Sequence, residues 1–241
     1  SVKHLVKTFN GRRVINDVSL DIHKGETLVI MGGSGCGKST FLRHLIGSMR
    51  PDSGEVWMFG QDIAKASEDE MDLIRRKFGM LFQSGALFDS MTVGENIALP
   101  LREHTELDDN VISIVVKMKL ELVGLRGFEN LMPSQLSGGM KKRVGLARAI
   151  AMDPSVVFYD EPTAGLDPIM TGVIDKLTMD LTKKLGITSV VVTHDMNSVF
   201  RIADRIVMLY QGNILEAGTP DEIRRDRKST RLHSSHGKLS R

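Results

Sequence analysis

The chain is poor in several features that define whole protein classes. It has one cysteine, Cys36, in 241 residues. That excludes a disulfide-stapled scaffold and fits a reducing compartment. No apolar run approaches the roughly 18 residues of a membrane span, and the longest, such as Ile187 to Val192, are strand-sized. No N-terminal signal segment is visible, so a cytosolic location is the expectation. There is no internal repeat, and the fourteen methionines form no stripe at helical spacing, so they read as core filling. What is present is ordinary for a globular chain: 41% hydrophobic and 26% charged residues. That is enough for one substantial core or two closely packed lobes.

The net charge of +2 suggests a mildly basic protein. Its distribution removes that impression. Residues 226–241 hold Arg227, Lys228, Arg231, Lys238 and Arg241 against Asp226. This surplus of four leaves residues 1–225 at −2. The tail is polar, basic and aperiodic and resembles translated sequencing-adapter read-through. It is expected to be foreign to the rest and disordered. The positive charge therefore gives no support to a nucleic-acid partner.

Short apolar runs alternate with amphipathic stretches, the pattern of an α/β protein. Thr27 to Met31, Glu55 to Phe59, Val156 to Tyr159 and Ile187 to Val192 read as strands. A helix is expected from Lys38 to Met49, closed by Pro51. A second, capped by Asp108 or Asp109, would bury Val111, Val115, Met118 and Leu122 and end at Gly124. A third runs from Ser137 towards Pro154, and a fourth would bury Ile169, Val173, Leu177 and Leu181 and end at Gly186. Arg205 to Tyr210 and Ile214 to Ala217 flank a Gln211-Gly212-Asn213 turn and read as a hairpin. Thr219-Pro220-Asp221-Glu222 has the form of a helix-capping box.

Gly32-Gly33-Ser34-Gly35-Cys36-Gly37-Lys38-Ser39-Thr40 matches G-x-x-x-x-G-K-[ST] between a strand and a helix. Glycines allow a tight turn that points successive N–H groups at phosphate oxygens. The new helix aims its positive end at the same point. Lys38 supplies charge to the β and γ phosphates, and the Ser39 hydroxyl can ligate Mg²⁺. Cys36 occupies a variable position of the loop. Asp160 and Glu161 end an apolar strand downstream, where Asp160 can join the Mg²⁺ shell and Glu161 can polarise a water for in-line attack.

Leu136-Ser137-Gly138-Gly139-Met140 and the helix after it resemble the signature of the ABC ATPases. The phosphate loop precedes it and Asp160-Glu161 follows, in that family's order. Gln83 resembles the Q-loop glutamine, Ala164-Gly165-Leu166-Asp167 the D-loop, and His194 the switch histidine. Phe9 stands where the family places an aromatic for stacking on adenine. The resemblance spans about residues 1–225. It implies an α/β fold: a P-loop NTPase (RecA-like) core, about 1–83 and 155–225, with an antiparallel β subdomain and an α-helical signature subdomain, about 84–154. It also implies an ATPase using ATP and Mg²⁺, with Glu161, His194 and Gln83 in catalysis and Ser39, Gln83 and Asp160 around the metal. Residues 32–40, Phe9, Ser137, Gly138 and Gly139 would contact ATP.

The chain has one phosphate loop and one signature, so the resemblance implies a homodimer that completes two composite sites. Met140 replaces the signature's usual glutamine. With the segments Leu81 to Phe88, Pro100 to Thr105 and Leu131 to Ser134, it makes the chain similar to the ATPases of Mla-type, Mce-associated phospholipid transporters. That similarity implies an integral-membrane permease partner, docked on the segment from Ser84 to about His104 with Ala86, Leu87 and Phe88. It also implies an Mce-type lipid-binding protein and a position on the cytoplasmic face of the inner membrane. An importer of amino acids or another small solute is the alternative. A DNA- or ribosome-acting ABC protein is disfavoured, because the interval from Lys38 to Asp160 leaves no room for a long coiled coil and there is one cassette. The charges Lys141, Lys142 and Arg143 read as a solvated face or as support for the signature helix.

Overall fold

The computed structural model describes residues 1–225; the basic tail lies outside them. In chain order the elements are β1 (Val2–Phe9), β2 (Arg12–Leu20), β3 (Thr27–Met31), α1 (Lys38–Leu45), β4 (Ser53–Met58) and β5 (Gln61–Asp62). Then come α2 (Glu68–Arg75), β6 (Phe78–Leu81), α3 (Val93–His104), α4 (Asp109–Leu122) and α5 (Gly138–Ala149). The remainder is β7 (Val156–Asp160), α6 (Pro168–Leu185), β8 (Thr188–Thr193), α7 (Met196–Ile202), β9 (Arg205–Tyr210) and β10 (Asn213–Gly218). Residues 220–225 are helical, behind the expected capping box: Thr219 N donates to Glu222 Oε2 at 2.7 Å.

Two sheets carry the fold. One is antiparallel, in the order β2-β1-β4-β5. The other has six strands in the order β10-β9-β3-β8-β7-β6, parallel except for β10. Its central strands are buried on both faces, which is why they read as unbroken apolar runs. Side chains alternate between the faces. Val29, Met31, Val157, Tyr159 and Val191 meet the cluster built by α3 to α7. Leu28, Ile30, Phe158, Val190 and Val192 meet the cluster under α1, α2 and the antiparallel sheet. The hairpin β9–β10 turns at Gln211 and Gly212, both with positive φ, as a tight two-residue turn requires.

Three expectations about helices need correction. Helix α1 ends at Leu45, not Met49, because Gly47 takes a left-handed φ of 69° before Pro51 is reached. Helix α4 buries Ile112, Val116, Lys119 and Leu120, while Val111, Met118 and Leu122 are exposed. Apolar residues lie on two faces of this helix. The buried face carries Lys119, whose ammonium pairs with Asp153. Helix α6 buries Thr171, Ile174, Asp175, Thr178, Leu181 and Thr182 and leaves Ile169 80% exposed. A step of four residues drifts about 40° around the helix each time, so the expected series starts off the core face at Ile169 and reaches it at Leu181. The buried threonines satisfy themselves: Thr178 Oγ1 donates to the Ile174 carbonyl at 3.0 Å, and Thr182 Oγ1 lies 2.7 Å from Ser189 Oγ.

Candidate active site

The register of the six-stranded sheet assembles the site. Met31 pairs with Thr193, and Asp160 with Val192, so β3, β8 and β7 end level with one another. The residues that follow those strands, from Gly32, Glu161 and His194 onward, all leave the same carboxyl edge. That edge is where parallel α/β sheets bind ligands.

The phosphate loop is close-packed against the sheet. A Cβ on Gly32 would run into the Leu209 carbonyl and the Cys36 sulfur, and Gly37 takes a φ of 106° with the Val14 carbonyl beside it. Only glycine fits either position. Cys36 is buried, its thiol beneath Gly32. Helix α1 starts with no side-chain cap and no acid in its first turn. The N–H groups of Lys38, Ser39 and Thr40 and the positive helix end are therefore suited to receive an anion. Lys38 lies over the loop, its Nζ donating to the carbonyls of Gly32 at 2.8 Å and Gly33 at 3.0 Å. A phosphate oxygen can replace those two acceptors.

Asp160 ends β7 half-buried. Burial and the adjacent Glu161 carboxylate push its carboxyl above the ordinary range, and Arg43 and Lys38 oppose them. A divalent cation would relieve both causes, so this carboxylate with the Ser39 hydroxyl fits a nucleotide-borne Mg²⁺. Gln83 follows β6 and lines one open groove with Asp160, Ala164 and Gly165.

Glu161 has a left-handed φ of 47°, an uncommon conformation for a non-glycine residue. Its amide donates to the Val192 carbonyl at 2.8 Å. Its Oε2 takes the Thr193 hydroxyl at 3.2 Å and stands 2.9 Å from His194 Nδ1. The carboxylate is thus held beside His194 at the end of β8. Directly after His194, Asp195 caps α7, accepting from Asn197 N at 2.9 Å. Buried Asp175 of α6 accepts from Ser198 at 3.0 Å and Arg201 at 2.7 Å, which locks α7 in place.

The remaining expected residues lie apart from this cluster. Ser137 is the N-cap of α5 and accepts from Met140 N at 3.3 Å. Gly138 faces open space, whereas a Cβ on Gly139 would collide with Met170. Among the described residues no hydrogen bond joins this signature to the phosphate loop. Phe9 is 41% exposed, with Lys7 Nζ 5.6 Å from its ring centre. It is not among the residues lining the groove beside Gly35, where Arg12 and Arg13 stand. The triple charge on α5 is not a solvated face. Lys142 is buried, and Arg143 donates to the carbonyls of Val123 and Gly124 at 3.3 and 3.2 Å. Thr193 carried no expectation, although its place as the last residue of a buried strand, directly before His194, was a usable signal.

An apolar groove of 640 Å³ opens beside the Gln83 segment, lined by Phe82, Ala86, Phe88, Leu99, Pro100 and Met152, among others. Phe88 is 49% exposed, but Leu87, expected on this surface, packs against the core instead. Fully buried Asn96 shapes the segment: its amide donates to the carbonyls of Phe88, Met91 and Thr92, and its Oδ1 accepts from Phe88 N at 2.8 Å. Arg148 of α5 donates to the carbonyls of Gly85 and Ala86 at 3.1 and 2.9 Å.

Comparison with known proteins agrees with this geometry. The family model for ABC transporters matches residues 15–164. The chain is 45% identical over 222 residues to the "Intermembrane phospholipid transport system ATP-binding protein MlaF" of Haemophilus influenzae, covering 92% of this chain and 84% of that protein. It is also 45% identical over 222 residues to the "Probable ribonucleotide transport ATP-binding protein mkl" of Mycobacterium leprae, covering 92% of this chain and 64% of that one. Among solved structures, the dimeric ATP-binding cassette MJ0796 bound to ADP and Pi superposes with a TM-score of 0.84 at 33% identity, covering 91% of this chain and 97% of that one. The chain belongs to the ABC transporter family and is one of its ATP-binding, ATP-hydrolysing subunits.

Proposed function

We propose that this ATPase is the motor of a phospholipid transporter in a bacterial envelope. The observation that carries the reading is the 45% identity to MlaF of Haemophilus influenzae, which extends over 84% of that protein. Residues 1–225 would work as one ATPase domain, with core segments 1–83 and 155–225 and a helical part from 84 to 154.

The loop 32–40 wraps the phosphates, Lys38 exchanges its two carbonyl acceptors for phosphate oxygens, and Phe9 stacks on adenine. Ser39 and Asp160, with Gln83 across the groove, would hold Mg²⁺, which neutralises phosphate charge when bound. Glu161 takes the proton of the attacking water, and His194 orients Glu161 and reaches for the γ-phosphate. In the second subunit of a homodimer, Ser137, Gly138 and Gly139 offer their hydroxyl and amide groups to the same phosphate. ATP thereby favours the closed dimer, and hydrolysis removes the contacts that favoured it.

The apolar groove beside Phe82 and Phe88 would receive a separate integral-membrane permease. No helix among the described residues is long and apolar enough to cross a membrane, so the subunit would act at the cytoplasmic face of the membrane through that permease. A lipid-binding Mce-type protein would complete the assembly, with no nucleic-acid partner.

The equal identity to mkl of Mycobacterium leprae favours a second reading, transport of a small solute such as a ribonucleotide. Purification with the bound membrane subunits, followed by mass spectrometry of extracted ligands, separates the two. Phospholipid enriched over the surrounding membrane supports the first reading. A ribonucleotide or amino acid without enriched lipid supports the second.

A further inference from the structure

Helix α5 is wedged between two loops of the site. On one side a Cβ on Gly145 would press on the Gly85 carbonyl, at 2.9 Å, in the segment after Gln83. On the other, Gly139 lies against Met170, just beyond the loop that starts at Glu161. That loop folds by two successive tight turns, Ala164 N to Glu161 O at 3.2 Å and Leu166 N to Thr163 O at 3.2 Å. Asp167 then caps α6.

Lys142, in the second turn of α5, is only 4% exposed, and its Nζ donates to the Ala164 carbonyl at 2.6 Å. A buried ammonium is costly unless paired. Among the described residues no carboxylate stands within ion-pair distance of Lys142. Burial pulls its pKa down, and the more distant Glu161 charge opposes that pull. An apolar side chain would serve packing better at this position. A stability cost borne beside a catalytic loop indicates a functional demand.

We infer that Lys142 is a positioning residue: its hydrogen bond to the Ala164 carbonyl holds the loop from Glu161 to Asp167 in register with the helix that Ser137 begins. Glu161 serves the nucleotide bound by its own subunit. On the homodimer reading above, which this second step rests on, Ser137 faces the nucleotide of the other subunit. Lys142 then links the two composite sites through one hydrogen bond.

The test compares Lys142→Met, which keeps the aliphatic bulk, with Lys142→Gln, one atom shorter but still an N–H donor. Steady-state ATP hydrolysis, nucleotide affinity and thermal melting are measured on the purified full chain. Lys142→Met is expected to melt at or above the wild-type temperature and keep KM for ATP within about twofold, while kcat falls about tenfold. Lys142→Gln is expected to recover most of kcat. Wild-type kcat in Lys142→Met would overturn the inference. So would a loss shared equally by melting temperature and ATP affinity, or a Gln variant no faster than Met. Sedimentation of Glu161→Gln with ATP keeps the dimer reading separate. If that variant stays monomeric, the link between two sites falls, while the kcat comparison still decides the role of Lys142 within one subunit.

Discussion

Nδ1 of His194 stands 2.9 Å from Oε2 of Glu161, and the Thr193 hydroxyl donates to the same oxygen at 3.2 Å. The His194 amide approaches it too, at 3.4 Å. All these contacts fall on Oε2, which leaves Oε1 without a partner among the described residues and able to accept a proton from water. With Glu161 ionised, Nδ1 must carry the hydrogen, so Nε2 points away from the carboxylate. His194 is 67% exposed at its side chain and Glu161 14%. The histidine can therefore reach a ligand while the carboxylate stays sheltered. Glu161→Gln should retain ATP binding and lose at least about 100-fold in kcat. Nucleotide titration beside a phosphate-release assay checks it, and wild-type turnover would remove Glu161 as the base.

Thr193→Val tests the support of Glu161 without touching substrate. The hydroxyl both donates to Glu161 and accepts from Asp195 N at 3.1 Å. Its loss should lower kcat about three- to tenfold and leave KM for ATP nearly unchanged. An equal rise in KM would instead mean that Thr193 shapes nucleotide binding.

Asp160 links electrostatics to stability. Burial and Glu161 hold its carboxyl above the ordinary range. The folded protein therefore keeps this proton to higher pH than the unfolded chain does. The stabilisation is present below the ordinary carboxylate pKa and is lost as pH rises through the folded-state value, so the ionised group burdens the fold at neutrality. Without nucleotide, Asp160→Asn should raise the melting temperature by a few degrees at pH 7.5, with little difference near pH 3.5. With Mg-ATP the wild type should gain more stability than the variant. Scanning calorimetry at both pH values, with and without nucleotide, reads all of this.

Asn96 has no exposed surface and satisfies four backbone groups between Phe88 and Thr92. Asn96→Leu would remove the partners of the Phe88 amide and the Met91 carbonyl, while the Phe88 and Thr92 carbonyls keep Met91 N and Asn96 N, at a cost of about 1–3 kcal/mol by chemical denaturation. ATP affinity of the folded fraction should be nearly unchanged, because the phosphate loop is on another element. On the permease reading, coupling to the membrane subunit should be lost first.

The phosphate loop and Asp160-Glu161 were legible because each depends on short-range backbone geometry, tight glycines and a strand end; His194 and the signature were read only through the resemblance to the ABC ATPases. The central strands were legible because both faces are buried. Helix faces were harder. On α4 the core face holds Lys119, whose partner Asp153 lies 34 residues away, and on α6 it holds threonines that bond back to their own helix. Such residues break an apolar pattern without leaving the core. Helices α2 and α3 carried a local signal that went unread, the capping boxes Ser67 to Glu70 and Thr92 to Glu95. The contact of Lys142 with Ala164 joins residues 22 positions apart and has no signature in sequence.

On the proposed mechanism ATP is held between two copies of this chain, with Glu161 as the base. The most direct measurement is sedimentation of Glu161→Gln with and without Mg-ATP, beside the same protein carrying Ser137→Arg. The expected result is a dimer that forms only with Mg-ATP, and with Ser137→Arg a monomer that still binds one ATP per chain. A Glu161→Gln protein that binds ATP yet stays monomeric at saturation, or a Ser137→Arg variant that dimerises as well as its parent, would contradict it.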